Sequence, residues 1–298
     1  MCRSARGDDS VTNRVVFLND RFLEDDEPAT VPLTDRGNLF GDSVFATIRW
    51  MGGCLVRGAL HVERLFAAAR ELGIEARFDE PTARALANEA AIRVGVEDVT
   101  VRITLSRGVG GVGIGTLGAM VPTSSILARP TSAYPASAYE TGIETMIVDA
   151  RRVPSACLPP QHKTGNYLPA ILAKRQLEAL GRIEGIQRCI DGQISSGTVS
   201  NLFLVRDSEL ITPHLGSDCR PGMTRETLLE LAAHQGLRAV ERRVTDEDLR
   251  DADEAFFANT IMEAMPIRTI HGVATYASIG VAKRLREALR ATYARGDV

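Results

Sequence analysis

Lysine is scarce in this 298-residue chain: of 35 basic residues only Lys163, Lys174 and Lys283 are lysines. Any chemistry that needs a primary amine therefore has three candidates. Cysteine is sparse and unpatterned. The five cysteines, at positions 2, 54, 157, 189 and 219, are odd in number and form no CxxC, which argues against a disulfide framework or a zinc site and suits reduced thiols. The five histidines are equally scattered. No run of about 18 apolar residues is present to span a bilayer, and the polar opening MCRSARGDDSVTNR lacks the apolar stretch of a signal peptide. A charge excess of one sign is missing as well. A net charge of -3 gives no broad attraction for phosphate backbones or anionic lipid, so neither nucleic acid nor membrane is expected as a partner. No lysine stands in a GxxxxGK context, which excludes a Walker site, and there is no internal repeat.

What remains is a cytoplasmic protein with small-molecule chemistry. The hydrophobic fraction of 44% and charged fraction of 24% are those of an ordinary globular protein, and the length favours two domains over one. Residues 1–13 read as a disordered N-terminus. Residues 14–130 read as a small α+β domain. It holds the strand VVFLND, helices over His61–Gly73 (apolar at 62, 65, 66, 69 and 72) and Pro81–Gly95, and the paired strands Val99–Gly108 and Ser124–Pro130. The stretch 131–142, rich in Pro, Ser, Ala and Thr without periodicity, reads as a linker. Residues 143–298 form a larger α/β domain. Its expected elements are a strand ETMIVDARRV, a helix LPAILAKRQLEALG, a hairpin turning at Asp191-Gly192, strands NLFLV and ELITP, and helices TRETLLELAAHQG and VAKRLREALRATYA flanking ADEAFFANT.

Three local patterns bear on chemistry. Gly108-Val109-Gly110-Gly111-Val112-Gly113 matches GxGxxG after a strand, but TLGAMVPTSS follows, without helical periodicity. A dinucleotide site needs a helix N-terminus there, so a flexible glycine loop is favoured. Gly222-Met223-Thr224 opens a helix, where unpaired N–H groups, the helix dipole and a hydroxyl make an anion site; Thr224 also reads as a plain N-cap. Lys163, in QHKTGNYLPA, precedes a helix, so its amine is expected to project from the end of a strand or loop toward a cleft, the alternative being an exposed loop lysine. Lys174 lies off the stripe of Leu168, Ile171, Leu172 and Leu180 and is expected to face water, as is Lys283. An amine that forms a Schiff base must be partly desolvated, and only Lys163 is placed for that.

Four segments, LTDRGNLFGDSVFATIR, HVERL, HKTGNYLPAILAK with ISSGTVSNLFLV, and RPGMTRETLLELA with ADEAFFANTIMEAMPIR, together resemble the class IV aminotransferases, the fold-type IV pyridoxal 5'-phosphate enzymes. The likeness runs in order from about Val15 to the end. It implies an α+β, two-domain D-amino acid aminotransferase-like fold with the cofactor in the inter-domain cleft, and a homodimer that places the first-domain glycine loop near the neighbour's cleft. It makes Lys163 the Schiff-base lysine, which also shuttles the substrate Cα proton. Arg64, Met223, Thr224 and Thr260 become phosphate-binding groups, although periodicity alone puts Arg64 on the solvent face. Tyr167 falls near the tyrosine that contacts the cofactor's phenolic oxygen, one residue closer to the lysine than in branched-chain enzymes.

Two positions depart from the pattern. Ser196 stands where the family has a glutamate paired with the pyridine nitrogen, and Arg220 where an aliphatic residue packs on the ring. A carboxylate keeps that nitrogen protonated and the ring a strong electron sink, whereas a serine cannot, and a nearby arginine repels a pyridinium. Weaker electron withdrawal suits a carbanion that expels a leaving group at once. With SRGVGGVG, the absence of glutamate at position 46, Thr47 and SGTVSNLF, this puts an aminodeoxychorismate lyase-like elimination of pyruvate first. A transaminase of branched-chain or D-amino acids with a 2-oxo acid acceptor comes next. Arg49 and Arg107 either pair with a substrate carboxylate or brace the first domain. A non-catalytic binding protein on the same fold would be marked by loss of Lys163 or the phosphate-binding threonines, and all are present.

Overall fold

A computed structural model describes residues 14–118 and 120–294, so the N-terminal segment 1–13 lies outside the described residues. The chain divides into two units: residues 1–39 with 45–132, and residues 40–44 with 133–298.

The first unit follows its hydrophobic pattern. Its elements are β1 (Val15–Leu18), β2 (Arg21–Phe22), α1 (Arg36–Phe40), β3 (Ser43–Met51), β4 (Cys54–Leu55), α2 (Gly58–Glu71), α3 (Glu80–Val94), β5 (Asp98–Gly110) and β6 (Met120–Pro130). The six strands form one sheet in the order β2-β1-β6-β5-β3-β4. The long β5–β6 hairpin is antiparallel, with Val101 opposite Ala128 and Ile103 opposite Ile126. Helix α2 buries Val62, Leu65, Phe66 and Ala69, the spacing read from the sequence, and starts three residues before His61. Helix α3 is capped by Asp79, whose carboxylate accepts from the Thr82 N–H, and buries an alanine row at 83, 87, 90 and 91 against β5, β6 and β1. The glycine run lies on the end of β5 and the turn into β6, with no helix after it, so it is not a dinucleotide-binding turn. Arg36 holds that turn by donating to the carbonyls of Gly113 (2.9 Å) and Ile114 (3.1 Å).

The second unit contains α4 (Ala136–Thr141), β7 (Ile143–Thr145), α5 (Leu168–Glu178), β8 (Ile186–Arg188), β9 (Ile194–Gly197), β10 (Asn201–Arg206), β11 (Glu209–Pro213), α6 (Met223–Ala232), β12 (Arg238–Arg242), α7 (Asp246–Asp251), β13 (Glu254–Asn259), β14 (Glu263–Ile270), β15 (Ala274–Thr275) and α8 (Gly280–Ala294). Its main sheet runs β12-β11-β10-β13-β14-β15, with β7 added alongside β14, and β8–β9 form a separate hairpin. Both faces of the main sheet are covered, which is why its central strands read as unbroken apolar runs. Phe203, Val205 and Phe256 point to the face packed by Leu228 of α6 and Leu285 of α8. Leu202, Leu204 and Phe257 point to the other, with Ile186 and Ile194 of the hairpin.

Three expectations are corrected. Residues 144–153 do not form one strand; β7 ends at Thr145, because only its first residues find an edge on β14. The stretch 131–142 carries a helix, α4, rather than irregular chain. On α5 the buried face is Ala173 and Leu177, while Leu168, Ile171 and Leu172 are exposed. Turned this way, Lys174 is half-buried and donates to the Ile183 carbonyl instead of facing water.

Candidate active site

The segment around Lys163 is held from both sides. Thr164 bridges Val44, the Gly165 N–H donates to the Ser43 carbonyl at 2.9 Å, and Asn166 Nδ2 donates to the Gly41 carbonyl at 3.3 Å. Gly165 is required there, since a Cβ would sit 2.6 Å from Ser43 Oγ and 3.1 Å from the Gly41 carbonyl. Lys163 thus leaves a fixed backbone as a half-buried amine. Of the other lysines, Lys174 is tied to Ile183, and Lys283 donates to the Glu140 carbonyl at 3.0 Å on an exposed surface.

Arg220 reaches this segment through Nη1, which donates to the Pro160 carbonyl at 3.0 Å. Two residues later Gly222 is the N-cap of α6. Thr224 is therefore inside the first turn and not the cap, which corrects the plain N-cap reading. Gly222 lies against Asn201, where a Cβ would come within 2.4 Å of Oδ1, while Asn201 Nδ2 donates to the Arg220 carbonyl at 2.8 Å. Asn201 also pairs across the sheet with Ala258, two residues before Thr260. The α6 N-terminus with Met223 and Thr224, the end of β13 with Thr260, and the Lys163 segment are thereby linked through Asn201 and Arg220. Thr224 is buried, and among the described residues its hydroxyl and that of Thr260 have no hydrogen-bonding partner.

Ser196 is 2% exposed and donates to the Gly197 carbonyl at 3.0 Å. Opposite it on β8 is Gln187, whose side chain donates to the Ala150 carbonyl (3.0 Å) and accepts from Arg152 Nη1 (3.4 Å). Arg152 was not singled out from the sequence. Burial draws its guanidinium below the ordinary arginine value, opposed by the nearby Cys219, Tyr167 and Asp218. The same burial raises the Cys219 thiol and pushes Cys189 to about 12, so neither is a ready nucleophile. Tyr167 sits at the start of α5, its N–H bonded to the Gly165 carbonyl at 3.0 Å.

Glu184 was also missed. Fully buried, it accepts from Gly185 N–H (2.9 Å), Thr198 N–H (2.8 Å), the Thr198 hydroxyl and Ser200 Oγ (3.2 Å), fixing the turn that follows Ser196. Its only sequence signal is a glutamate between isoleucine and glycine, which a surface loop would carry as readily.

The remaining candidates lie in the first unit. Arg64 is on α2, half-buried. Arg49 is buried and donates from Nε to Asp98 Oδ1 at 2.8 Å and from Nη2 to Oδ2. Arg107 donates to the Gly73 (2.5 Å) and Leu72 (2.8 Å) carbonyls, closing the C-terminal end of α2 where a cation suits the helix dipole. Of the two uses left open for these arginines, the bracing one matches these contacts. Among the described residues no group of three His, Cys, Asp or Glu side chains could hold a metal, and no helix is long and apolar enough to cross a membrane.

The model of the amino-transferase class IV family matches residues 43–270, which spans Lys163, the Ser196 turn, the α6 N-terminus and Thr260. The chain belongs to the class IV aminotransferase family. A putative branched-chain-amino-acid aminotransferase of Methanocaldococcus jannaschii is 32% identical over 274 residues, 91% of this chain and 94% of its own length. A D-alanine aminotransferase of Listeria innocua is 29% identical over 261 residues, 87% of this chain and 88% of its own. Among solved structures, a branched-chain aminotransferase of the archaeon Thermoproteus uzoniensis with norvaline aligns with a TM-score of 0.86 at 27% identity, covering 94% of this chain and 95% of that one. A further branched-chain amino acid aminotransferase, solved with pyridoxamine 5'-phosphate, aligns with a TM-score of 0.88 at 26% identity over 94% of both chains. This class IV aminotransferase is accordingly a pyridoxal 5'-phosphate enzyme of fold type IV. Its residues suit that cofactor: one amine on a fixed backbone and, linked to it, two unengaged hydroxyls, one of them at a helix N-terminus, ready for a phosphate.

Proposed function

We propose that this enzyme is a transaminase that moves the amino group of a branched-chain amino acid, or of a D-amino acid, to a 2-oxo acid acceptor. The observation that carries this reading is likeness over nearly the whole chain to proteins named as branched-chain-amino-acid and D-alanine aminotransferases. The features that put lyase-like elimination first, the SRGVGGVG run, the missing glutamate at position 46 and Ser196, are short and local. An alignment of 274 residues outweighs them.

In this reading Lys163 would hold the cofactor covalently and its amine would serve as the base for the substrate Cα proton. In the second unit the Thr224 and Thr260 hydroxyls and the α6 N-terminus at Met223 would hold the phosphate, while Arg64 remains a phosphate ligand only by the family resemblance. By the family resemblance, Tyr167 would serve the phenolic oxygen, and Ser196 and Arg220 occupy the positions that would serve the ring nitrogen and the ring face. The bound cofactor supplies the electron sink for the pair left on Cα. We assign Arg49 and Arg107 to bracing. The working form is a cytoplasmic homodimer, supported by apolar side chains left exposed on the glycine turn (Val112, Ile114, Leu117) and on α5 (Leu168, Ile171, Leu172).

The test is a half-reaction. Protein loaded with pyridoxal phosphate is mixed in turn with L-leucine, L-isoleucine, L-valine and D-alanine, and formation of pyridoxamine phosphate is followed by absorbance. Rapid formation with one of them names the substrate class. No formation with any, together with pyruvate release from 4-amino-4-deoxychorismate, would restore the elimination reading.

A further inference from the structure

The turn that joins β13 to β14 carries Thr260 and is restrained far more heavily than a three-residue connection needs. From within, Asn259 Oδ1 accepts from the N–H groups of Ile261 (2.9 Å) and Met262 (2.7 Å), and Asn259 Nδ2 donates to the Val199 carbonyl (3.3 Å). On its far side, Tyr139 donates its hydroxyl to the Met262 carbonyl at 3.1 Å. The turn then ends at Glu263, a non-glycine residue with φ of 58°. Left-handed backbone at such a residue persists only where its surroundings enforce it, and it concentrates at functional sites.

The enforcement is electrostatic. The Glu263 side chain is 1% exposed, and its two oxygens accept from Arg290 Nε (2.8 and 3.0 Å) and Arg286 Nε (2.5 Å). These arginines stand four residues apart on one face of α8. Arg286 also stacks on the Tyr139 ring, 3.7 Å from its centroid, so the carboxylate and the phenol hold the turn as one assembly. A buried carboxylate is retained only when it is fully paired, and this one is paired to a helix that lies under the sheet. We propose that Glu263, with Arg286, Arg290 and Tyr139, is a positioning clamp that sets the Thr260 hydroxyl toward the cofactor phosphate. The clamp rests on the reading of Thr260 as a phosphate ligand.

The experiment compares two ligands that differ only in the phosphate. Pyridoxal phosphate and pyridoxal are titrated, by the absorbance of the bound form, into the full-length apo-protein and its Glu263→Gln, Tyr139→Phe and Thr260→Ala variants. A positioning role predicts that Glu263→Gln weakens pyridoxal phosphate binding about tenfold, the worth of one well-aimed hydrogen bond to a charged group, and leaves pyridoxal binding unchanged. Tyr139→Phe, which keeps the ring under Arg286, gives a smaller loss of the same kind and serves if Glu263→Gln does not fold. In a Thr260→Ala background Glu263→Gln should add nothing, because both act on one contact. Equal weakening of both ligands, no weakening of either, or additivity with Thr260→Ala would overturn the clamp. If Thr260→Ala alone leaves pyridoxal phosphate binding intact, the phosphate reading itself falls and takes the clamp with it.

Discussion

Glu184 and Thr198 are joined twice through one oxygen: the backbone N–H and the hydroxyl of Thr198 both donate to Glu184 Oε1. With Ser200 Oγ on the other oxygen and Gly185 N–H also on Oε1, a carboxylate without surface exposure becomes the centre of the turn after Ser196. Glu184→Ala orphans three backbone N–H groups, those of Gly185, Thr198 and Val199, and two hydroxyls at once, and should cost about 3 kcal/mol or more of stability. Ser200→Ala removes one 3.2 Å bond and should cost about 1 kcal/mol. Urea unfolding midpoints of the two variants check the ratio. Equal losses would mean that the turn is held by something other than this carboxylate.

Lys163 should be the only lysine that reacts with the cofactor aldehyde. Borohydride reduction of the loaded enzyme, followed by digestion and mass spectrometry, should place the reduced adduct on the peptide containing QHKTGNY. Lys163→Ala should lose both the adduct and the bound-cofactor absorbance, whereas Lys174→Ala and Lys283→Ala, which break bonds to the Ile183 and Glu140 carbonyls, should keep them. An adduct on either of those lysines would remove the central assignment.

In the proposed reading Ser196 is the residue that faces the ring nitrogen, and two buried acids of the same unit are already engaged. Glu184 is spent on its turn, and Glu254 accepts from Ser278 and the N–H groups that open α8. Ser196→Glu should therefore raise the rate of pyridoxamine phosphate formation by about an order of magnitude, equivalent to ~1.4 kcal/mol of barrier, by stabilising the protonated ring. The new carboxylate would be buried, so without cofactor the variant should be less stable than the parent, and loading should recover most of the difference. An unchanged half-reaction rate would show that ring protonation does not limit this enzyme.

Periodicity located α2 and α3 because their apolar residues face the sheet of their own unit. It misread α5 for a physical reason. Leu168, Ile171 and Leu172 make a stripe at helical spacing, but spacing says that a face is apolar and not what covers it, and the covered face is the smaller pair Ala173 and Leu177. The candidacy of Lys163 could be read from the shortage of lysines and its place before a helix. The rest of the site had no local signal. Asn201, Arg152, Glu184 and Glu263 act through partners up to 66 residues away in sequence, such as Asp218 for Arg152 and Arg290 for Glu263. Ser196 and Arg220 acquired meaning only through what similar chains carry at those places.

Stability toward acid should be lost partly at α7. Asp248 completes a capping box with Thr245 and is gripped by both Arg242 Nη atoms, at 2.9 and 2.6 Å. The hydrogen bonds from Arg242, ahead of every other cause, hold its carboxyl below the ordinary aspartate range. A group depressed in the folded state contributes its full stability above the unfolded value, about 3.9 for aspartate, and loses it as pH falls through the folded value. Asp248→Asn should therefore be about 1 kcal/mol less stable than the parent at pH 7, a typical worth for a helix cap, with the gap closing below about pH 4. Thr245→Ala removes the cap and spares the ion pair, so its deficit should persist at 1 M salt, while the Asp248→Asn deficit shrinks as the exposed side of the Arg242 pair is screened. Thermal midpoints across pH 2.5 to 7 at two salt concentrations separate the two contributions; a deficit in Asp248→Asn that stays constant through pH 3 would mean that the charge on Asp248 contributes nothing to holding α7.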